Sequence, residues 1–136
     1  EIDEKKERVI DAKNATKAAI EEGIVAGGEI ALLHVASLIP KENLGQQILR
    51  EALQAPFRKL ITNSGLDYAE IREKMSGHSY PEGIDVTCGC VKDLIKHGII
   101  DPVKVTRSAL QNATSVACLA ITTDCLITDY IEKKND

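Results

Sequence analysis

From Asp3 to Glu22 the chain contains neither Gly nor Pro and is built of strong helix formers, with Val9, Ala12, Thr16, Ala19 and Ile20 on one face at helical spacing. That face is narrow and made of small side chains, and the first two turns are nearly all charged. Such a helix extends beyond its own core at the start and needs a partner surface. Gly23 supplies its C-terminal stop.

The interior that receives this helix has to be aliphatic. Of 136 residues 43% are hydrophobic, yet there are only one Phe, three Tyr and no Trp, too few aromatics for a base-stacking platform. Seventeen Lys and Arg against 21 Asp and Glu leave a formal charge of −4, so the positive field that nucleic acid or anionic lipid requires is lacking. No apolar stretch approaches the roughly 18 residues of a membrane span. Glu1 to Arg8 is dense in charge where a secretory signal needs an apolar centre, and the chain reads as soluble and not exported.

Periodicity predicts further helices over Glu29 to Leu38 and over Glu42 to Ser64, the second kinked at Pro56, and a short one capped by Asp67 through Met75. Ser76 to Gly89 reads as loop and short strand around Ile84-Asp85-Val86, and Val91 to Lys96 as one or two helical turns. Asp101 at N-cap and Pro102 at N1 predict a final helix to about Thr123, poor in charge after Arg107 and therefore buried on most sides as the core helix. Cys125 to Ile131 suits a single strand, for which the chain offers few partners, and a charged tail follows. The fold class expected is mostly α, multihelical with a few short β-strands.

Four cysteines, Cys88, Cys90, Cys118 and Cys125, are few for this length and are expected as free thiols, with Cys118 a small buried hydrophobe. Cys88-Gly89-Cys90 with His78 and His97 nearby offers metal-ligand types, but one intervening residue is too short a spacing for a standard zinc site, so no metal is expected. No His, Cys or Ser stands in a nucleophile arrangement. Gly27-Gly28 before a helix could bring backbone amides to a phosphate, or serve only as a turn. Asp101 is explained by capping and Asp11 as a solvated or capping carboxylate.

Those features occur in one order, and there they resemble a family. Glu7-Arg8-Val9-Ile10-Asp11-Ala12-Lys13-Asn14-Ala15-Thr16 followed by Ala18 to Gly28 is similar to the signature region of the group I chaperonins of bacteria (GroEL), mitochondria and plastids. Gly98 to Ala113 resembles that family's late equatorial helix, and Ala55-Pro56-Phe57-Arg58 its kinked middle helix. The resemblance implies an incomplete, equatorial-domain-like fold. Residues 1–22 would be an intermediate-domain segment entering the equatorial domain, and residues 23–136 the C-terminal half of that ATP-binding domain. The unpartnered strand and the over-charged first helix would then pack on segments outside this chain.

The resemblance further implies an ATP-driven protein-folding chaperonin, an ATPase when intact, with the chain alone not expected to hydrolyse ATP. Gly28 would approach the nucleotide, Asp85, Val86 and Thr87 would lie beside the adenine, and Asp101 would bind the ribose. Asp11 would position the attacking water. Arg58 and Asp67 would touch the opposite ring. The cofactors implied are ATP and Mg2+, the Mg2+ ligand lying in the N-terminal half. The partners implied are other subunits in a homo-oligomeric double ring, a co-chaperonin lid of the GroES type, and non-native polypeptides held by an apical domain, with no nucleic acid and no membrane. The compartment implied is the bacterial cytoplasm, or a mitochondrial matrix or plastid stroma. Glu29 departs from the family, standing where a third glycine is usual, and a carboxylate beside a triphosphate is repulsive. The rival reading is a non-catalytic helical interaction or assembly fragment without nucleotide.

Overall fold

A computed structural model describes residues 2–125 and 127. Helix α1 (Ile2–Glu22) is followed by strand β1 (Ile24–Ala26) and helices α2 (Ile30–Leu38), α3 (Leu44–Ala52), α4 (Ala55–Asn63) and α5 (Tyr68–Lys74). Strands β2 (Glu82–Asp85), β3 (Cys90–Asp93) and β4 (Ile100–Pro102) lead into helix α6 (Val103–Ile121). The mostly helical class with short strands is as expected. The strand expected over Cys125 to Ile131 falls largely outside the described residues.

Helix α1 is exposed over residues 2–17, and only Ala18 is buried. Its last turn is held at the start of α6, where Arg107 donates to both carboxylate oxygens of Glu22 at 2.6 and 2.9 Å and Lys104 pairs with Glu21. Gly23 ends α1 in the left-handed region at φ +86°, and its carbonyl accepts from Val103 N at 3.1 Å. Two three-residue strands meet here: β1 and β4 pair antiparallel with Val25 opposite Asp101.

Four local expectations are corrected. Pro56 does not kink a continuous helix. Without an N–H it cannot bond to the Ala52 carbonyl, so α3 stops at Ala52 and Pro56 opens the first turn of α4. An Asn43–Gln46 capping box starts α3. Val91 to Lys96 is not helical, because β3 pairs with β2 in a hairpin, Ile84 opposite Val91 and Asp85 opposite Cys90. Asp101 does not cap α6. Pairing with β1 draws it into β4, Pro102 takes the N-cap position, and no side chain caps the helix.

The fourth correction concerns the core. Helix α6 contains no buried residue, and Val105, Val116, Leu119 and Ile121 are each more than half exposed. The buried cluster is instead Ala26, Ile30, Phe57, Ile61, Ile71, Ile84 and Leu94, drawn from β1, α2, α4, α5, the hairpin and the residue after it. Within it Gly83 is forced by space, since a Cβ there would lie 2.5 Å from Ile30 Cγ1 and 2.6 Å from Leu94 Cδ1. Asp67 caps α5 as expected, accepting from Glu70 N at 2.9 Å.

The cysteine expectation is also overturned. Cys88 and Cys90 are joined as a disulfide with Cα atoms 5.3 Å apart, because the tight turn between β2 and β3 brings the two side chains together. Cys118 is exposed rather than buried, following the exposure of α6. Cys125 is likewise exposed and free. Among the described residues no helix is long and apolar enough to cross a membrane.

Candidate functional site

The glycine pair after β1 joins two segments that are far apart in sequence. Gly27 N donates to Ile99 O at 2.9 Å, and a Cβ at Gly27 would stand 3.2 Å from the Ile99 backbone. Close approach therefore favours glycine there. Gly28 is glycine for another reason: its φ is +63°, while a Cβ would make only ordinary contacts with Leu94, Ile84 O and Leu60 at 3.6 to 3.9 Å. So Gly27 rests on the residues just before Asp101, and Gly28 on the residue just before Asp85. Tyr80 Oη accepts from Ala26 N at 3.1 Å and steadies the entry to this turn, a role no sequence signal marks.

Glu29 continues the left-handed backbone at φ +60°, an uncommon conformation for a residue with a Cβ. It occupies the N-cap of α2 without a side-chain cap bond. Its carboxyl pKa is raised, first by desolvation and then by the charge of Asp101. Both carboxylates line a groove of about 770 Å³ between α2, α3 and α6, otherwise walled largely by apolar groups such as Leu32, Ile48, Leu53, Ala109, Ala113 and Ile121. Among the described residues neither Glu29 nor Asp101 has a side-chain hydrogen bond.

Asp85 is already committed within the hairpin. Its Oδ1 accepts from Thr87 N at 2.9 Å and Thr87 Oγ1 at 2.5 Å, and its Oδ2 accepts from Lys92 Nζ at 2.8 Å. These bonds, Lys92 first, hold its carboxyl well below the usual carboxylate range. Its backbone carbonyl accepts from Cys88 N and Gly89 N, closing the turn that carries Val86 and Thr87. Val86 packs against the buried cluster, whereas Thr87 is exposed. The residue types expected beside a nucleotide are thus present, but the Asp85 carboxylate builds structure.

The structure does not bring Asp11 to this place. It is exposed on α1 about 10 Å along the axis before Ala18, at about 1.5 Å rise per residue. Arg58 and Asp67 share a different surface, at the α4–α5 junction. Arg58 is paired with Glu51 at 2.9 Å and lies over the Tyr68 ring at 5.1 Å, and Tyr68 directly follows Asp67. Among the described residues no cluster of three or more His, Cys, Asp or Glu could hold a metal ion.

At the start of α2, Ile30 N donates to Gly27 O at 3.3 Å and Leu33 N to Glu29 O at 3.1 Å, which leaves the Ala31 and Leu32 amides as the opening groups without a backbone partner among the described residues. The Glu29 carboxylate, at the N-cap of α2, would repel an anion placed there, and Asp101 offers a carboxylate without a side-chain hydrogen bond among the described residues. Among known proteins, the TCP-1/cpn60 chaperonin family matches residues 1–130. The fold is similar to one described as "Crystal structure of group III chaperonin in the open state", with a TM-score of 0.72 and 28% identity. That match covers 81% of this chain and 25% of the other, so the chain spans about a quarter of that chaperonin's length.

Proposed function

This chain belongs to the TCP-1/cpn60 chaperonin family, and from that membership we propose that it is the C-terminal nucleotide-site portion of a group I chaperonin subunit. In that reading residues 1–22 descend from the intermediate domain and residues 23–136 complete the equatorial domain. The observation that carries it is the Gly27-Gly28 turn, which packs at once on the strand bearing Asp101 and on the hairpin bearing Asp85.

ATP, with Mg2+ held by a segment outside this chain, supplies the phosphoanhydride whose cleavage drives the folding cycle. Asp101 accepts the ribose hydroxyl hydrogen bonds. The Ala31 and Leu32 amides at the start of α2 orient the phosphate end, and Val86 and Thr87 flank the base. Asp11 reaches the site by a swing of α1 about Gly23 and orients the attacking water, a task of placement and electrostatics suited to a carboxylate. The swing has to break the bidentate Glu22–Arg107 pair and the Glu21–Lys104 pair, both partly open to solvent. Arg58 and Asp67 face a second ring of like subunits. A GroES-type lid and non-native polypeptide engage parts of the subunit beyond this chain, in a bacterial cytoplasm or organellar matrix.

The test is Asp11→Ala in the full-length subunit, with equilibrium ATP affinity and single-turnover hydrolysis measured together. The expected result is retained binding with hydrolysis at least about a hundredfold slower. An unchanged rate removes Asp11 from the mechanism. Failure of Asp101→Asn to weaken ATP binding would instead favour the non-catalytic assembly reading, which the exposed apolar stripe of α6 supports.

A further inference from the structure

The hairpin that carries Asp85, Val86 and Thr87 is closed by a cysteine pair that the nucleotide chemistry does not use. Cys90 lies directly opposite Asp85 in the strand register, and Cys88 sits one residue beyond Thr87. Gly89 between them is left-handed at φ +65°, which lets a single residue span two bonded cysteines. Both Cys88 N and Gly89 N donate to the Asp85 carbonyl, at 3.2 and 2.8 Å. The covalent link spans residues 88–90 and the hydrogen bonds tie Cys88 and Gly89 back to Asp85, so both restrain the second half of the 86–89 loop, directly after Val86 and Thr87. Of the two residues Cys88 is exposed and Cys90 half-buried.

We propose that Cys88 and Cys90 form a thiol–disulfide exchange site, whose co-substrates are low-molecular-weight thiols and disulfides of the glutathione class, and that its redox state sets the order of the 85–90 turn. In the reducing direction an external thiolate attacks the Sγ of Cys88, the more exposed residue of the pair. The intramolecular S–S bond breaks, its electron pair goes to the Cys90 sulfur, and that thiolate takes a proton from water. A second external thiolate attacks the outer sulfur of the mixed disulfide and releases Cys88 as a thiolate, which is also protonated. Two external thiols are thereby oxidised to one disulfide, and the protein disulfide is reduced by two electrons to two thiols. Oxidation runs the same steps in reverse.

In the reduced form the turn keeps its Asp85 hydrogen bonds but loses the covalent closure, so it opens more often. Any effect on nucleotide rests on the function proposed above, because it acts through the placement of Val86 and Thr87.

The chain is equilibrated in buffers of reduced and oxidised glutathione over a wide ratio, quenched with acid, alkylated and peptide-mapped, which separates Cys88 and Cys90 from the free Cys118 and Cys125. Two alkyl groups are expected to appear together on the peptide holding Cys88 and Cys90 as the buffer becomes reducing, and to disappear together on reoxidation. Amide exchange at Thr87 to Cys90 is expected to be at least about tenfold faster in the reduced form, with α4 unchanged. The double variant Cys88→Ser/Cys90→Ser should show the faster exchange in every buffer. Cysteines that stay alkylatable at all ratios, a pair that never reduces, or exchange equal in both states would each overturn the proposal. ATP affinity of the full-length subunit in the two states is read separately: an altered turn with unaltered affinity would count against the nucleotide reading alone.

Discussion

Lys92 Nζ stands 2.8 Å from Asp85 Oδ2, across the two strands of the hairpin that carries Val86 and Thr87. With both carboxylate oxygens engaged, the folded state holds Asp85 ionised at a lower pH than the unfolded chain does. A depressed carboxylate contributes stability that is present above its ordinary value of 3.8 and is lost as pH falls toward its folded value. Thermal unfolding of the wild-type chain should therefore drop steeply between about pH 5 and pH 2. Asp85→Asn should flatten that drop while lowering the midpoint at neutral pH, as scanning calorimetry would show.

Gly83→Ala should destabilise the fold by about 1–3 kcal/mol, since its Cβ would enter a packed site against Ile30 and Leu94. Urea unfolding checks this through a lowered midpoint at constant slope. Gly45→Ala, in the exposed first turn of α3 with only Asn43 Oδ1 at 3.5 Å, is the control and should be neutral or slightly stabilising.

Glu29→Gly should stabilise the fold at neutral pH. It removes a left-handed Cβ, worth about 1–2 kcal/mol, against a backbone-entropy cost of about 0.5–1 kcal/mol. It also removes a carboxylate whose raised pKa means that the ionised form is disfavoured in the fold. Such a group weakens the fold above its folded pKa, and the penalty fades as pH falls toward 4.5. The gain in midpoint over wild type should therefore be larger at pH 8 than at pH 4. In the full-length subunit the same change should tighten ATP binding.

The groove walled by Ile48, Leu53, Ala109, Ala113 and Ile121 should make the isolated chain self-associate. Sedimentation should show a mass rising with concentration. Ile48→Glu with Val105→Glu, both at exposed positions, should keep the helical content and restore the monomer. A wild-type chain monomeric at high concentration would refute this.

Much of the local structure was legible because its causes are local. Gly23 stops α1, and Asp67 caps α5, through short-range backbone chemistry that residue type announces. The order of motifs around Asp11, Gly28 and Asp101 carried the family. The Cys88–Cys90 bond is not legible in the sequence, where a small cysteine count points to free thiols, because the β2–β3 turn decides whether two sulfurs meet. Helix α6 reads as the core because its residues are apolar, but apolarity states what a face prefers and not what covers it.

By itself the sequence determined the helical class, most helix ends, the aliphatic interior and the family, each set by residue type, periodicity or motif order along the chain. Only the tertiary structure decided that Asp101 enters a strand opposite Val25, that Asp85 is held by Lys92, and that Gly83 admits no side chain. Those outcomes depend on which segments pair and pack, across one short hairpin for Asp85 and Lys92 and across most of the chain for Asp101 and Val25; a three-residue strand or one close backbone approach leaves no periodic trace, and its energy exists only once the partner is in place.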